Sequence, residues 1–236
     1  PSTTDGRECW AVGYPNTDSV ANAAEVLHVA LAVIRDHGTF PWLRARRLDA
    51  ICGSMGALVM RYALEKLPPV EGIQVDRIVF VGGPHRGTNA AVLQALLFEV
   101  ISAVTERGLE PPPAVTDMTP ARLFKVLPVP RRWPRRWMAV VGYGMRLPEM
   151  EVQWHDPRFI RRFAEEHNER AAALNRLYYL LDDDGDGLVA CASAELGNGR
   201  NVHIKRFHTF LEIANWRHPE RGEERRMVTA VKSFLR

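Results

Sequence analysis

The stretch Ile51-Cys52-Gly53-Ser54-Met55-Gly56-Ala57-Leu58 constrains this chain more than any other. A short apolar run (Leu48, Ala50, Ile51) meets a serine set among small residues. A helical pattern then begins at once with Leu58, Val59, Tyr62 and Ala63. That is the layout of a nucleophile elbow, in which a strand turns sharply into a helix and carries one hydroxyl at its tip. Small neighbours are needed because the strained turn brings the backbone close to adjacent elements. The start of the helix offers amides without intrahelical acceptors, suited to holding an oxyanion. Cys52 stands where the G-x-S-x-G pattern has its first glycine. The plainer alternative is a serine that N-caps the following helix.

A chain of 236 residues with 46% apolar composition has enough material for one sizeable core. A formal charge of +3 is mildly basic and does not by itself imply nucleic acid as a partner. Cys9, Cys52 and Cys191 are scattered and include no C-x-x-C, which excludes zinc-ribbon and thioredoxin readings. Pairing of Cys9 with Cys191 stays open for an exported protein. The longest apolar stretch, Ala91 to Val104, is interrupted by Gln94, Glu99 and Ser102 and is no membrane span. No signal-peptide pattern opens the chain, which begins at Pro1. The expectation is a soluble protein, cytoplasmic or exported, with no cofactor and no metal.

Alternation and turn residues predict a strand over 9–13, ended by Tyr14-Pro15-Asn16. Asp18 or Ser19 is expected to cap a helix carrying Val20, Ala23, Ala24, Leu27, Leu31 and Ile34. Further elements are a strand over 48–51, a helix over 55–66 and a strand over 75–81 closed by Gly82-Gly83-Pro84. This strand–helix alternation implies a parallel α/β sheet. A helix over 89–105 follows. Pro111-Pro112-Pro113 and the run Arg131-Arg132-Trp133-Pro134-Arg135-Arg136-Trp137 come next. Strands over 138–141, 177–181 and 202–207 and helices over 157–174 and 219–235 complete the reading. One domain is expected, with a helical cap inserted over roughly 88–136, its first helix read as a lid.

A serine hydroxyl is a weak nucleophile without a base held in orientation by a third group. Where an elbow of this kind carries a triad, the acid and then the histidine follow it in chain order. Asp186-Gly187-Leu188-Val189 follows the strand at 177–181, and His208 follows the strand at 202–207. Asp184 is the rival acid. Asp182, Asp184, Asp186 and Gly187 also fit the opening of a calcium loop, but its twelfth position is Ser193 rather than glutamate.

Three segments resemble one known family. Ser54-Met55-Gly56 with Leu58-Val59 and Arg61-Tyr62 is similar to the HSMGGLVARY elbow of α/β-hydrolase lipases. Val81-Gly82-Gly83-Pro84-His85-Arg86-Gly87-Thr88 is similar to their LGTPHRGT strand end. Asp184 to Val189, with Ser193-Ala194, is similar to their GDGxVPxxSA acid loop. The resemblance covers about 8–90 and 175–236. It extends to triacylglycerol lipases and esterases, lecithin:cholesterol acyltransferase-like proteins and GPI inositol-deacylase-like proteins. It implies an α/β-hydrolase fold, a mostly parallel sheet flanked by helices. It also implies a serine carboxylic-ester hydrolase with Ser54 as nucleophile, His208 as base, Asp186 as orienting acid and the Met55 amide as one oxyanion donor. An acyltransferase with the same triad is the second implied activity.

Two departures accompany the resemblance. Gly53 replaces the family's histidine before the nucleophile. No H-G turn supplies a second oxyanion donor, because His37-Gly38 sits at a helix end. The strand at 9–13 takes the place of the family's fourth strand, and the third, next to the elbow strand, is missing. The expectation is an N-terminal truncation or a divergent enzyme, with a non-catalytic lipid- or partner-binding protein as the rival. Losing one oxyanion donor costs on the order of 100- to 1000-fold in rate. For Arg131, Arg132, Trp133, Arg135, Arg136 and Trp137 two readings stay open. One is contact with anionic lipid headgroups; the other is a solvated edge with the indoles packed beneath. Nucleic acid is not expected. His203 is read as a residue of one strand face and His85 as a brace of its turn.

Overall fold

The computed structural model describes residues 9–36, 46–105, 108–143, 185–186, 188–205 and 222–236. The strands expected over 177–181, the helix over 157–174, Asp184 and His208 lie outside the described residues. Strand β1 spans Arg46–Gly53, β2 Ile73–Val81, β3 Trp137–Tyr143 and β4 Asn201–Lys205. They pair in the order β1-β2-β3-β4, every pair parallel. Register runs Gly53 to Val81 to Val140, so the strands end along one common rim.

Parallel strands need covering on both faces, which is why β2 and β3 are nearly continuous apolar runs. Alternation sorts them. Ile78, Phe80, Ala139 and Val141 face a core shared with α1 (Val20–Asp36) and α2 (Met55–Lys66). Val79, Val81, Met138, Val140 and Ile204 face Met227 and Val231 of α6 (Gly222–Leu235). Helices therefore flank the sheet on both sides, the α/β arrangement expected from the strand–helix alternation.

Helix α1 begins as its sequence dictates. The Ser19 hydroxyl accepts the Asn22 amide at 3.1 Å, and Asp18 accepts the Ser19 amide at 2.7 Å. A second carboxylate arrives from far along the chain: Asp117 accepts the Val20 amide at 2.9 Å in a buried contact. A negative charge is favoured at that helix end.

Between β2 and β3 lie α3 (Asn89–Thr105), α4 (Pro113–Asp117) and α5 (Pro120–Val126). The first is the expected helix. The two short ones were not read from sequence. Residues 9–13 do not form the expected strand. No described strand lies beside them to complete a ladder, and only Val12 and Tyr14 lean on the core. Strand β1 pairs with β2 alone among the described residues, and Ile51 on it is 46% exposed. The three cysteines are free thiols, so Cys9 and Cys191 are not bridged. No helix among the described residues is long and apolar enough to cross a membrane.

Candidate active site

Ser54 stands between the last residue of β1 and the first of α2, with φ 48° and ψ −125°. It is the one non-glycine residue with positive φ among the described residues. These angles match the first central position of a type II′ turn, where glycine is preferred. A side chain there costs on the order of 1–3 kcal/mol. The turn is held from both sides. The Ser54 amide donates to the Val81 carbonyl at 2.9 Å, and the Ser54 carbonyl accepts the Ala57 amide at 3.0 Å. The side chain makes no capping hydrogen bond to α2, so the N-cap alternative is not what the hydroxyl does. The first turn leaves the Met55 and Gly56 amides without intrahelical acceptors beside the serine.

Asp186 is 1% exposed. Its Oδ1 accepts the amides of Leu188 at 3.0 Å and Val189 at 2.8 Å, and its own amide donates to the Val189 carbonyl at 3.2 Å. Two N–H donors on one carboxylate oxygen fix the orientation of this buried side chain. Among the described residues no cluster of His, Cys, Asp or Glu suits a metal ion.

The acid loop is fastened to the loop after β2, and so to the rim that bears Ser54. Ser193 Oγ donates to the Gly87 carbonyl at 2.6 Å and accepts the Arg86 amide at 3.1 Å. The Ser193 carbonyl accepts the His85 amide at 3.1 Å. Arg86 also donates to the Ala192 carbonyl, and Thr88 Oγ1 to the Leu188 carbonyl. Gly87 is obligatory in this loop: its φ is +88°, and a Cβ would stand 2.7 Å from the Pro120 nitrogen. Cys191 adds a thiol donation to the Gly142 carbonyl at the end of β3. Strand β4, parallel to β3, ends at Lys205, three residues before His208. Ser54 and Asp186 thus belong to one end of the sheet, while the position of His208 is outside the described residues.

Residues that sequence reading left in the background support this rim. Arg61 is 0% exposed. It pairs with Glu65 at 2.9 Å, donates to the Pro128 carbonyl at 2.7 Å and to the His85 carbonyl at 3.5 Å, and lies over the Trp133 ring. His85 is buried, edge-on to Phe80 and Trp133, and neither ring nitrogen has a hydrogen-bond partner among the described residues. It therefore does more than brace a turn. It packs as a neutral ring. His203 is paired with Glu195 at 2.7 Å.

Burial, with Arg61 and Arg86 adding repulsion, holds the His85 pKa well below the usual histidine value of 6.5. Below about pH 6.5 the unfolded chain takes up a proton here that the native state does not. Stability contributed at this position is full above that pH and falls on acidification, by up to about 1.4 kcal/mol per pH unit. His85→Leu is expected to flatten this part of the profile. Urea unfolding of both proteins between pH 7 and pH 5 checks it, and parallel profiles would refute it.

Trp133 and Trp137 are 7% and 8% exposed, packed against each other and against His85 and Phe80. The indoles are therefore packed in the interior. Arg131, Arg132, Arg135 and Arg136 are exposed, and Arg136 pairs with Asp76. The Arg136 carbonyl accepts the Ile78 amide, three residues before the rim along β2, or roughly 10 Å at strand rise. Arg136 accordingly sits toward the end of the sheet away from Ser54.

No family model and no curated protein matches this chain. Among solved structures it is similar to Bacillus licheniformis lipase BlEst2 in mature form, at 15% identity and TM-score 0.46 over 84% of this chain and 74% of that one. It is also similar to the metagenomic carboxyl esterase MGS0156, at 18% identity and TM-score 0.48 over 84% of this chain and 53% of that one. Phospholipase PlaB from Legionella pneumophila gives 14% identity and TM-score 0.45 over 79% and 36%.

Proposed function

We propose that this protein is a serine carboxylic-ester hydrolase of the lipase or esterase kind. The observation that carries the reading is the strained Ser54 at a strand-to-helix turn, φ 48°, on the rim to which the loop of buried Asp186 is fastened. A polar residue held in a costly backbone conformation is a mark of function rather than of packing. In the proposed reaction Ser54 Oγ attacks the ester carbonyl carbon while His208 takes its proton. Asp186 holds the imidazole in the tautomer that can accept it. The tetrahedral oxyanion is held by the Met55 amide. The intermediate collapses to an acyl-enzyme, and the alcohol leaves with the proton from His208. Water, deprotonated by His208, then attacks the acyl carbon and releases the acid.

A fluorophosphonate probe tests this directly. The expected adduct is on the peptide that carries Ser54, and Ser54→Ala is expected to remove it. Labelling that survives the substitution would overturn the assignment.

A further inference from the structure

The proposed hydrolase has one evident oxyanion donor, the Met55 amide, and sequence offers no H-G turn for another. Yet the first turn of α2 is not bare on its outer side. The Tyr14 hydroxyl lies so close to Gly56 that a Cβ built on that glycine would stand 3.2 Å from it. The Gly56 nitrogen is about 2.5 Å from such a Cβ by standard backbone geometry. The Tyr14 oxygen is therefore no more than about 6 Å from an open amide of the oxyanion end of α2. Two donors that each approach one oxyanion at about 3 Å are at most about that far apart.

We propose that Tyr14 is a catalytic residue that donates its phenolic O–H to the oxyanion formed at Ser54, alongside the open amides of Met55 and Gly56 in the first turn of α2, of which Gly56 is the one it adjoins. This rests on the reading of Ser54 as nucleophile. Three features of the chain fit the role. No hydrogen bond engages the Tyr14 hydroxyl among the described residues, so the donor is uncommitted. Tyr14 is half-buried, and desolvation, with Cys52 adding to it, pushes its pKa up to about 12. The phenol therefore keeps its proton throughout the working range of a histidine base. Gly56 is the small residue that leaves room for it, since a Cβ there would stand 3.2 Å from the hydroxyl and shift it by a few tenths of an ångström. The backbone preparing this placement is Tyr14-Pro15-Asn16, which turns the chain from segment 9–13 into the cap of α1.

No covalent change occurs at Tyr14. The O–H lends a hydrogen bond as the carbonyl oxygen becomes negative and loses that bond's extra strength when the carbonyl re-forms. The contribution should therefore fall on kcat and on transition-state analogues, not on substrate binding.

Steady-state hydrolysis of p-nitrophenyl butyrate by the whole protein and its Tyr14→Phe, Gly56→Ala and Ser54→Ala variants tests the proposal. Inhibition by phenylboronic acid, which forms a tetrahedral adduct, is measured alongside. Tyr14→Phe keeps the ring and its packing. It is expected to lower kcat by about 100-fold with KM within about twofold, and to weaken the boronate by a similar factor. Gly56→Ala is expected to give a smaller loss, also in kcat and not in KM. A Tyr14→Phe kcat within about threefold of the parent, with Ser54→Ala inactive, would overturn the Tyr14 assignment and leave the hydrolase reading intact. A parent without turnover, or a fully active Ser54→Ala, would overturn both.

Discussion

Ser54→Gly is expected to abolish ester turnover and to make the protein more stable. The two effects share one cause. At φ 48° and ψ −125° a serine sits where the backbone favours glycine, at a cost of about 1–3 kcal/mol. Glycine removes that cost, and gives back about 0.4–1 kcal/mol through the greater freedom of the unfolded chain. The net gain of about 1 kcal/mol corresponds to a rise in Tm of about 2–4 °C for a chain of this size. Turnover should fall by about 10,000-fold or more, because no hydroxyl remains to be acylated. Ser54→Ala separates the two effects, since alanine keeps the Cβ and its strain. It should be as inactive as glycine and no more stable than the parent. Differential scanning calorimetry of the three proteins checks this. A Ser54→Gly protein melting below the parent would show that the elbow stores no strain.

Local signals carried much of this fold. Helices α1 and α2 and strand β2 follow from apolar spacing bounded by Asp18, Ser19 and Gly82, because those patterns act through neighbouring residues. Helices α4 and α5 were hidden by the proline-rich composition around them. Their signature was there in retrospect: each begins with a proline, Pro113 and Pro120, whose fixed φ suits a first helical turn. The segment 9–13 alternates like a strand, but a ladder needs a neighbour, and that is not a property of the segment itself.

The site divides in the same way. Ser54 and Asp186 announce themselves through short motifs, and both prove to be held by local geometry: a turn for one, the Leu188 and Val189 amides for the other. Their supports were not legible. Ser193 meets Arg86 and Gly87 across more than a hundred residues of chain. Arg61 would be placed on a solvent face by its charge, yet it is buried because Glu65, the Pro128 carbonyl and the Trp133 ring together replace water around its guanidinium. The same contacts explain why the indoles of the Arg131–Trp137 run turn inward while its arginines stay outside. Tyr14 carried no motif at all. Its place against Gly56 is a fact of tertiary packing.

In the proposed hydrolase Ser54 and His208 act as one unit. Groups that act as a unit lose nearly everything when either is removed, so their losses do not multiply. Turnover of p-nitrophenyl butyrate by Ser54→Ala, His208→Ala and the double variant measures this directly. Each single variant is expected to lose about 10,000-fold or more in kcat. The double variant should lie within a few-fold of the weaker single. A double-variant loss equal to the product of the two single losses, or a His208→Ala protein within about tenfold of the parent, would contradict their acting as one unit.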